Sequence, residues 1–178
     1  MYKLLIVEDE YIVIESIKSI IHKFLPEVQV VGEAENGRQA IELAEKLNPD
    51  IIFMDIEMSG INGFEAIKEI KRRINAQFVI VSAYDYFTYT KVAIAEGVAD
   101  YILKPFGNDQ IIDAVKKMIS KLEQEKRKRN DELIAREKLI SSMAVMEEEL
   151  INRLVFYNEN YEAEMKQQLK IFDIDLEY

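Results

Sequence analysis

Short apolar runs alternate along the chain with stretches whose apolar positions recur every three or four residues, from the start to about residue 122. The runs read as buried strands and the stretches as helices, an alternation that predicts βαβ units around a parallel sheet. Five such pairs can be laid out. The first strand spans residues 3–7, and its helix carries Ile14, Ile17, Ile21 and Phe24 until Pro26 stops it. A second strand covers residues 28–31, and Asn36-Gly37 opens a helix with Ala40, Leu43, Ala44 and Leu47 that ends before Asn48-Pro49. The third strand is residues 50–54, followed by a loop with Gly60 and Gly63 and a helix with Phe64, Ile67, Ile70 and Ile74. The fourth strand is 78–81, its helix lies near 87–97, the fifth strand is 100–103, and the fifth helix opens after Pro105.

Beyond Leu122 the pattern changes. Eleven charged residues fall between Glu123 and Lys138, with no proline or glycine to interrupt a helix, so the fifth helix is expected to run on as a stalk. A seam of spacing three and four through Ile119, Leu122, Lys126, Arg129, Leu133, Arg136, Ile140, Met143, Glu147, Leu150 and Leu154 has four charged positions of eleven. Strong coiled coils want apolar residues at nearly all of these, so pairing along it is expected to be weak or conditional. Phe172, Ile174, Leu176 and Tyr178 then alternate with acids at the period of a strand. The expected organisation is a domain at 1–122, a helical linker at 123–153 and the start of a further, truncated unit at 154–178. An amphipathic tail docking on the first domain is the alternative.

Composition narrows the chemistry. The 178 residues carry a net charge of -10, which argues against direct binding to nucleic acid. The basic run Lys126 to Arg129 is bracketed by Glu123, Glu125, Asp131 and Glu132 and reads as a solvated helix face. With no cysteine, thiolate catalysis and thiolate metal sites are excluded. No apolar run reaches the roughly 18 residues of a membrane span, and the opening residues lack a signal-peptide pattern; a cytoplasmic location is expected.

Four polar stations stand at strand ends: Glu8-Asp9, Asp55, Ser82 and Lys104. In an open parallel α/β sheet the carboxyl ends of the strands form the ligand crevice, so these residues can converge. Acids, a hydroxyl and an ammonium in one pocket suit holding a divalent cation and accepting a phosphoryl group.

Glu8-Asp9, Asp55 with Gly63 eight residues on, Ser82-Ala83, and Lys104-Pro105 preceded by Tyr101 together resemble the receiver domain of bacterial two-component response regulators. The stretches 82–87 and 97–101 further resemble receivers joined to AraC-type DNA-binding output domains. The resemblance implies a flavodoxin-like (βα)5 doubly wound parallel sheet of order 2-1-3-4-5, here with a C-terminal helical extension. It implies that Asp55 accepts a phosphoryl group from a sensor histidine kinase, and that Mg²⁺ (or Mn²⁺) is held by Glu8, Asp9, Asp55 and the backbone carbonyl of Glu57. Lys104 and Ser82 would contact the phosphoryl oxygens, Ser82 and Tyr101 would act as the switch, and the Lys104-Pro105 bond would be cis. The signal would be a change of shape with self-association on phosphorylation, with no membrane partner. DNA would be reached only through an output domain that this chain does not contain, since only 24 residues follow Leu154.

Two departures from the family pattern stand out. Ser59-Gly60 occupies a place where many members have proline, and the bulky Tyr84 follows Ser82 by two. Tyr84 and Glu57 are expected to slow hydrolysis of the acyl phosphate. Rival readings are a stand-alone phosphorelay receiver, a module chiefly for dimerisation, and a haloacid-dehalogenase-like Mg-dependent phosphatase. That enzyme family places its nucleophile after the first strand with an aspartate two residues on, whereas here the candidate follows the third strand and Glu57 stands at the second place. The expectation is therefore a phosphoacceptor, not an enzyme. The lone His22 has no kinase motif around it.

Overall fold

The computed structural model describes residues 1–83 and 98–156, with side chains described as far as residue 152. The expected helix near 87–97, Tyr84 and the strand-like 172–178 lie outside the described residues. The elements are β1 (Tyr2–Val7), α1 (Tyr11–Phe24), β2 (Val28–Ala34), α2 (Gly37–Leu47), β3 (Ile51–Met54), α3 (Gly63–Lys71), β4 (Gln77–Ser82), β5 (Asp100–Leu103) and α4 (Asn108–Phe156). All five strands are parallel in one sheet of order β2-β1-β3-β4-β5. The alternation of runs predicts the parallel sheet, and the order is the flavodoxin-like one that the family resemblance implies.

The inner strands β1, β3 and β4 read as continuous apolar runs because both faces of the sheet are covered there. Leu4, Ile6, Ile51, Phe53, Val79 and Val81 point to one face, where Ile14, Ile17 and Ile21 of α1 and Ile111, Val115 and Met118 of α4 close the core. Leu5, Val7, Ile52, Met54, Phe78 and Ile80 point to the other, against Ala40 and Ala44 of α2 and Ala66, Ile67 and Ile70 of α3. Period-two alternation thus assigns alternate side chains to two separate cores.

Local chemistry sets the helix ends. Asn36 caps α2 by accepting from the Gln39 amide at 3.0 Å, and Asn48 ends it in the left-handed region at φ 46. Asn62 and Glu65 form a reciprocal capping box at the start of α3. β2 runs three residues further than the apolar pattern suggests, to Ala34. Its pairing with β1 shifts register between Leu4 and Leu5, which passes over Val31 and lets Gly32, Glu33 and Ala34 continue the ladder.

The chain divides into two units, Met1–Arg127 and a second that begins at Lys128. Within the first, Ile119 and Leu122 pack against the α1-side core. The Tyr2 hydroxyl donates to Glu123 at 3.2 Å and the Gln77 amide to Glu125 at 3.4 Å. In the second unit, the helix from Lys128 on exposes most of its described side chains.

Candidate functional site

β1 and β3 are adjacent at the centre of the sheet and end in register, Val7 opposite Met54. The residues that follow them, Glu8-Asp9 and Asp55, are therefore neighbours although far apart in sequence. The Asp55 amide donates to the Val7 carbonyl at 2.9 Å and the Glu8 amide to Ala34 at 2.8 Å, so both acids leave the sheet with fixed backbones. One carboxylate oxygen from each of Glu8, Asp9 and Asp55 lies within 4.8 Å of the others. Glu8 and Asp55 are buried, with 1% and 5% exposure, while Asp9 is exposed.

Lys104 follows β5, two strands from β3, a separation of about 10 Å at the usual strand spacing. Its stem and the Asp55 side chain together cover that distance, past the small buried Ser82 at the end of β4. The ammonium donates to Asp55 Oδ2 at 3.0 Å, to Glu8 Oε1 at 2.8 Å and to Glu10 Oε1 at 3.4 Å. Glu8 Oε2 is also 2.7 Å from it, but off the direction of any hydrogen bond, and is left without a hydrogen-bond partner. Asp55 Oδ1 accepts from the Ile56 amide at 2.6 Å. The two oxygens of Asp55 are thus distinguished, one held by the backbone and one turned toward the lysine.

The electrostatics follow from burial. Desolvation pushes the Glu8 carboxyl up to about 7; the hydrogen bond from Lys104 works against this, and the neighbouring Asp55 carboxylate adds to it. For Lys104, desolvation disfavours the ammonium, yet its hydrogen bonds to Glu8 and Asp55 prevail and hold its pKa above the ordinary lysine value. Four acids around one lysine leave a local excess of negative charge. Three hard carboxylates, each with one oxygen within 4.8 Å of the others, fit a small divalent cation, which prefers oxygen ligands and retains some of its water.

The other residues singled out in the sequence take these places. Ser82 is fully buried, stands opposite Leu103, and its carbonyl accepts from the Lys104 amide at 2.8 Å. Tyr101 is half-buried in β5 opposite Ile80, packed against the α2–α3 side core. Glu57 is exposed two residues after Asp55. The Lys104-Pro105 peptide bond is cis. Gly60 lies in the loop after β3 at φ 84, a conformation that glycine adopts without strain and proline cannot. His22 is exposed in the last turn of α1, away from these strand ends.

One partner in the site, Glu10, was not in the sequence-based set, and Gly63 was singled out only by its spacing from Asp55. Glu10 partners Lys104, and the only signal for it is its place in the acidic run Glu8-Asp9-Glu10. Gly63 brings the start of α3 against the Asp55 backbone: a β-carbon there would lie 2.1 Å from the Asp55 carbonyl oxygen. Its spacing from Asp55 is visible in the sequence; the close approach that demands glycine is not.

Residues 4–116 match the family described as response regulator receiver domain. Among curated proteins, the chain is 33% identical over 126 residues to the "uncharacterized transcriptional regulatory protein YesN" of Bacillus subtilis, covering 70% of this chain and 34% of that one. It is 40% identical over 117 residues to the chemotaxis protein CheY of Thermotoga maritima, covering 65% of this chain and 96% of CheY. Against the transcriptional regulatory protein DegU of Brevibacillus brevis it spans 48% of the relative's length, so such regulators extend well beyond the matched part. Among solved structures, the REC domain of AraT, a response regulator from Geobacillus stearothermophilus, superposes with a TM-score of 0.65 at 36% identity, covering 70% of this chain and 98% of that one. Among the described residues no helix is long and apolar enough to cross a membrane.

Proposed function

The chain belongs to the response regulator receiver family, and on that premise we propose that Asp55 is the phosphoacceptor of this switch. The observation that carries the reading is the convergence of Asp55 with Glu8, Asp9 and the Lys104 ammonium at the carboxyl end of the sheet. The donor is a phosphohistidine of a sensor histidine kinase. The bond from phosphorus to the imidazole nitrogen breaks as a bond to a carboxylate oxygen of Asp55 forms, leaving an acyl phosphate. Such transfer needs positioning and neutralisation of charge more than acid–base chemistry. The Ile56 amide fixes Oδ1 and hence the plane of the carboxylate. Lys104, already at Oδ2, pairs with the arriving phosphoryl oxygens as a compact cation, and the Ser82 hydroxyl donates to another. Glu8, Asp9, Asp55 and the Glu57 carbonyl hold Mg²⁺ or Mn²⁺, which supplies neutralisation of the phosphoryl charge when bound.

The output is a change of state rather than turnover of a substrate. New charge-assisted bonds at the phosphoryl group draw Ser82 and Tyr101 toward it and reshape the β4–β5 side of the domain, favouring self-association. By likeness to transcriptional regulatory proteins, the receiver is the input part of a cytoplasmic regulator, and any contact with DNA belongs to an AraC-type output domain. Intact-mass measurement after incubation with acetyl phosphate and Mg²⁺ tests the reading. One added phosphoryl group is expected in the wild type and none in Asp55→Asn or without the cation; an adduct that persists in Asp55→Asn would remove Asp55 from the role.

A further inference from the structure

The second unit carries a face that the receiver chemistry leaves unused. Between Leu133 and Ile151, eight large apolar side chains of α4 are exposed, from 41% at Ile134 to 64% at Val145. Leu133, Leu139, Ile140, Met143 and Met146 fall within about 140° of the helix circumference at about 100° per residue, while Leu150 in the same sector is buried, so the open part of the face ends before it. Arg129, Arg136 and Glu147 lie on the same face. The seam is polar at these places, and the signs of its charges decide what can lie against it.

We propose that this face pairs with a second copy of the same helix, antiparallel and centred on Lys138. In parallel register, Arg129, Arg136 and Glu147 would each meet themselves, three like-charge layers in a short seam. Reversing one helix about Lys138 sets Arg129 against Glu147, Leu133 against Met143 and Arg136 against Ile140, and each layer recurs by symmetry. The basic run Lys126 to Arg129 then faces the acidic run Glu147 to Glu149 of the other copy. Like charge remains only near the centre, where Glu137 approaches its copy with Arg136 one position away on each helix. The polar positions that weaken a parallel coiled coil therefore select the antiparallel one. The overlap from Arg129 to Glu147 is about 28 Å long at 1.5 Å per residue, a marginal length, so association depends on concentration. The inference does not rest on phosphorylation of Asp55.

Sedimentation of the full chain over roughly 5 to 500 µM tests it. The expected result is a rise from monomer to dimer mass. Arg129→Glu and Glu147→Arg each weaken the dimer about tenfold, and the double exchange restores it, with helix content by circular dichroism unchanged in all three. Orientation is read by disulfide trapping, since the chain has no cysteine of its own. Mixing Leu133→Cys with Met143→Cys protein is expected to give the mixed disulfide in preference to either homodisulfide. Monomer mass throughout, as when another part of this chain covers the face, would overturn the proposal; so would a Leu133→Cys homodisulfide as the main product, which marks a parallel pair.

Discussion

Replacing Glu8 by glutamine isolates the cost of keeping a carboxylate in the site. Burial raises the Glu8 carboxyl from its ordinary 4.5 to about 7, so folding favours the neutral, protonated form. The contribution to stability is fully present below pH 4.5 and is lost as pH rises through 7, where the native carboxylate must ionise at 1% exposure. At about 1.4 kcal/mol per pH unit, the interval from 4.5 to about 7 amounts to a loss of about 3 kcal/mol. Glutamine keeps the shape and cannot ionise. Lys104 loses one partner in the variant, but its own pKa lies above the ordinary lysine value, so that loss is constant across the window. Urea unfolding in EDTA at intervals from pH 4.5 to 8 should therefore give a variant-minus-wild-type stability difference that climbs by about 3 kcal/mol, most steeply below pH 7, and then levels off. A flat difference across that range would refute the reasoning, whatever its absolute value.

Divalent cation should stabilise the wild type against heat, by about 2.7 kcal/mol at a hundredfold excess over its dissociation constant, and Asp9→Asn should remove most of that shift in a thermal melt with Mg²⁺. Gly63→Ala drives a methyl group onto the Asp55 carbonyl and is expected to cost about 3 kcal/mol or more in urea unfolding; a loss under 1 kcal/mol would mean the start of α3 gives way without strain. Asn62→Ala removes the side-chain half of the capping box, while the backbone amide of position 62 still donates to Glu65, and should cost about 1 kcal/mol, with no effect on the added phosphoryl mass.

The sheet was legible because its inner strands β1, β3 and β4 are buried on both faces: runs such as Leu4 to Val7 and Phe78 to Val81 leave no exposed side to interrupt them. The site was legible because its members are polar residues at the ends of those runs, and strand adjacency does the rest. What stayed hidden depends on tertiary pairing. β2 continues through Gly32 and Glu33, poor strand formers, because the β1 ladder holds them after a register shift at Leu4. Glu10 joins Lys104 because the ladder sets Val7 level with Tyr101, and each of the two residues stands three further on. The first domain holds α4 beyond residue 122 through Tyr2–Glu123 and Gln77–Glu125, pairs that no periodicity encodes.

The central claim is that an acyl phosphate forms on Asp55. Incubation with acetyl phosphate and Mg²⁺, reduction of the acyl phosphate to the alcohol with borohydride, and peptide mapping by mass spectrometry would locate it directly. The account predicts one reduced residue, at Asp55, with Asp9 and Glu8 untouched. Reduction at another acid, with Asp55 unchanged, would contradict it.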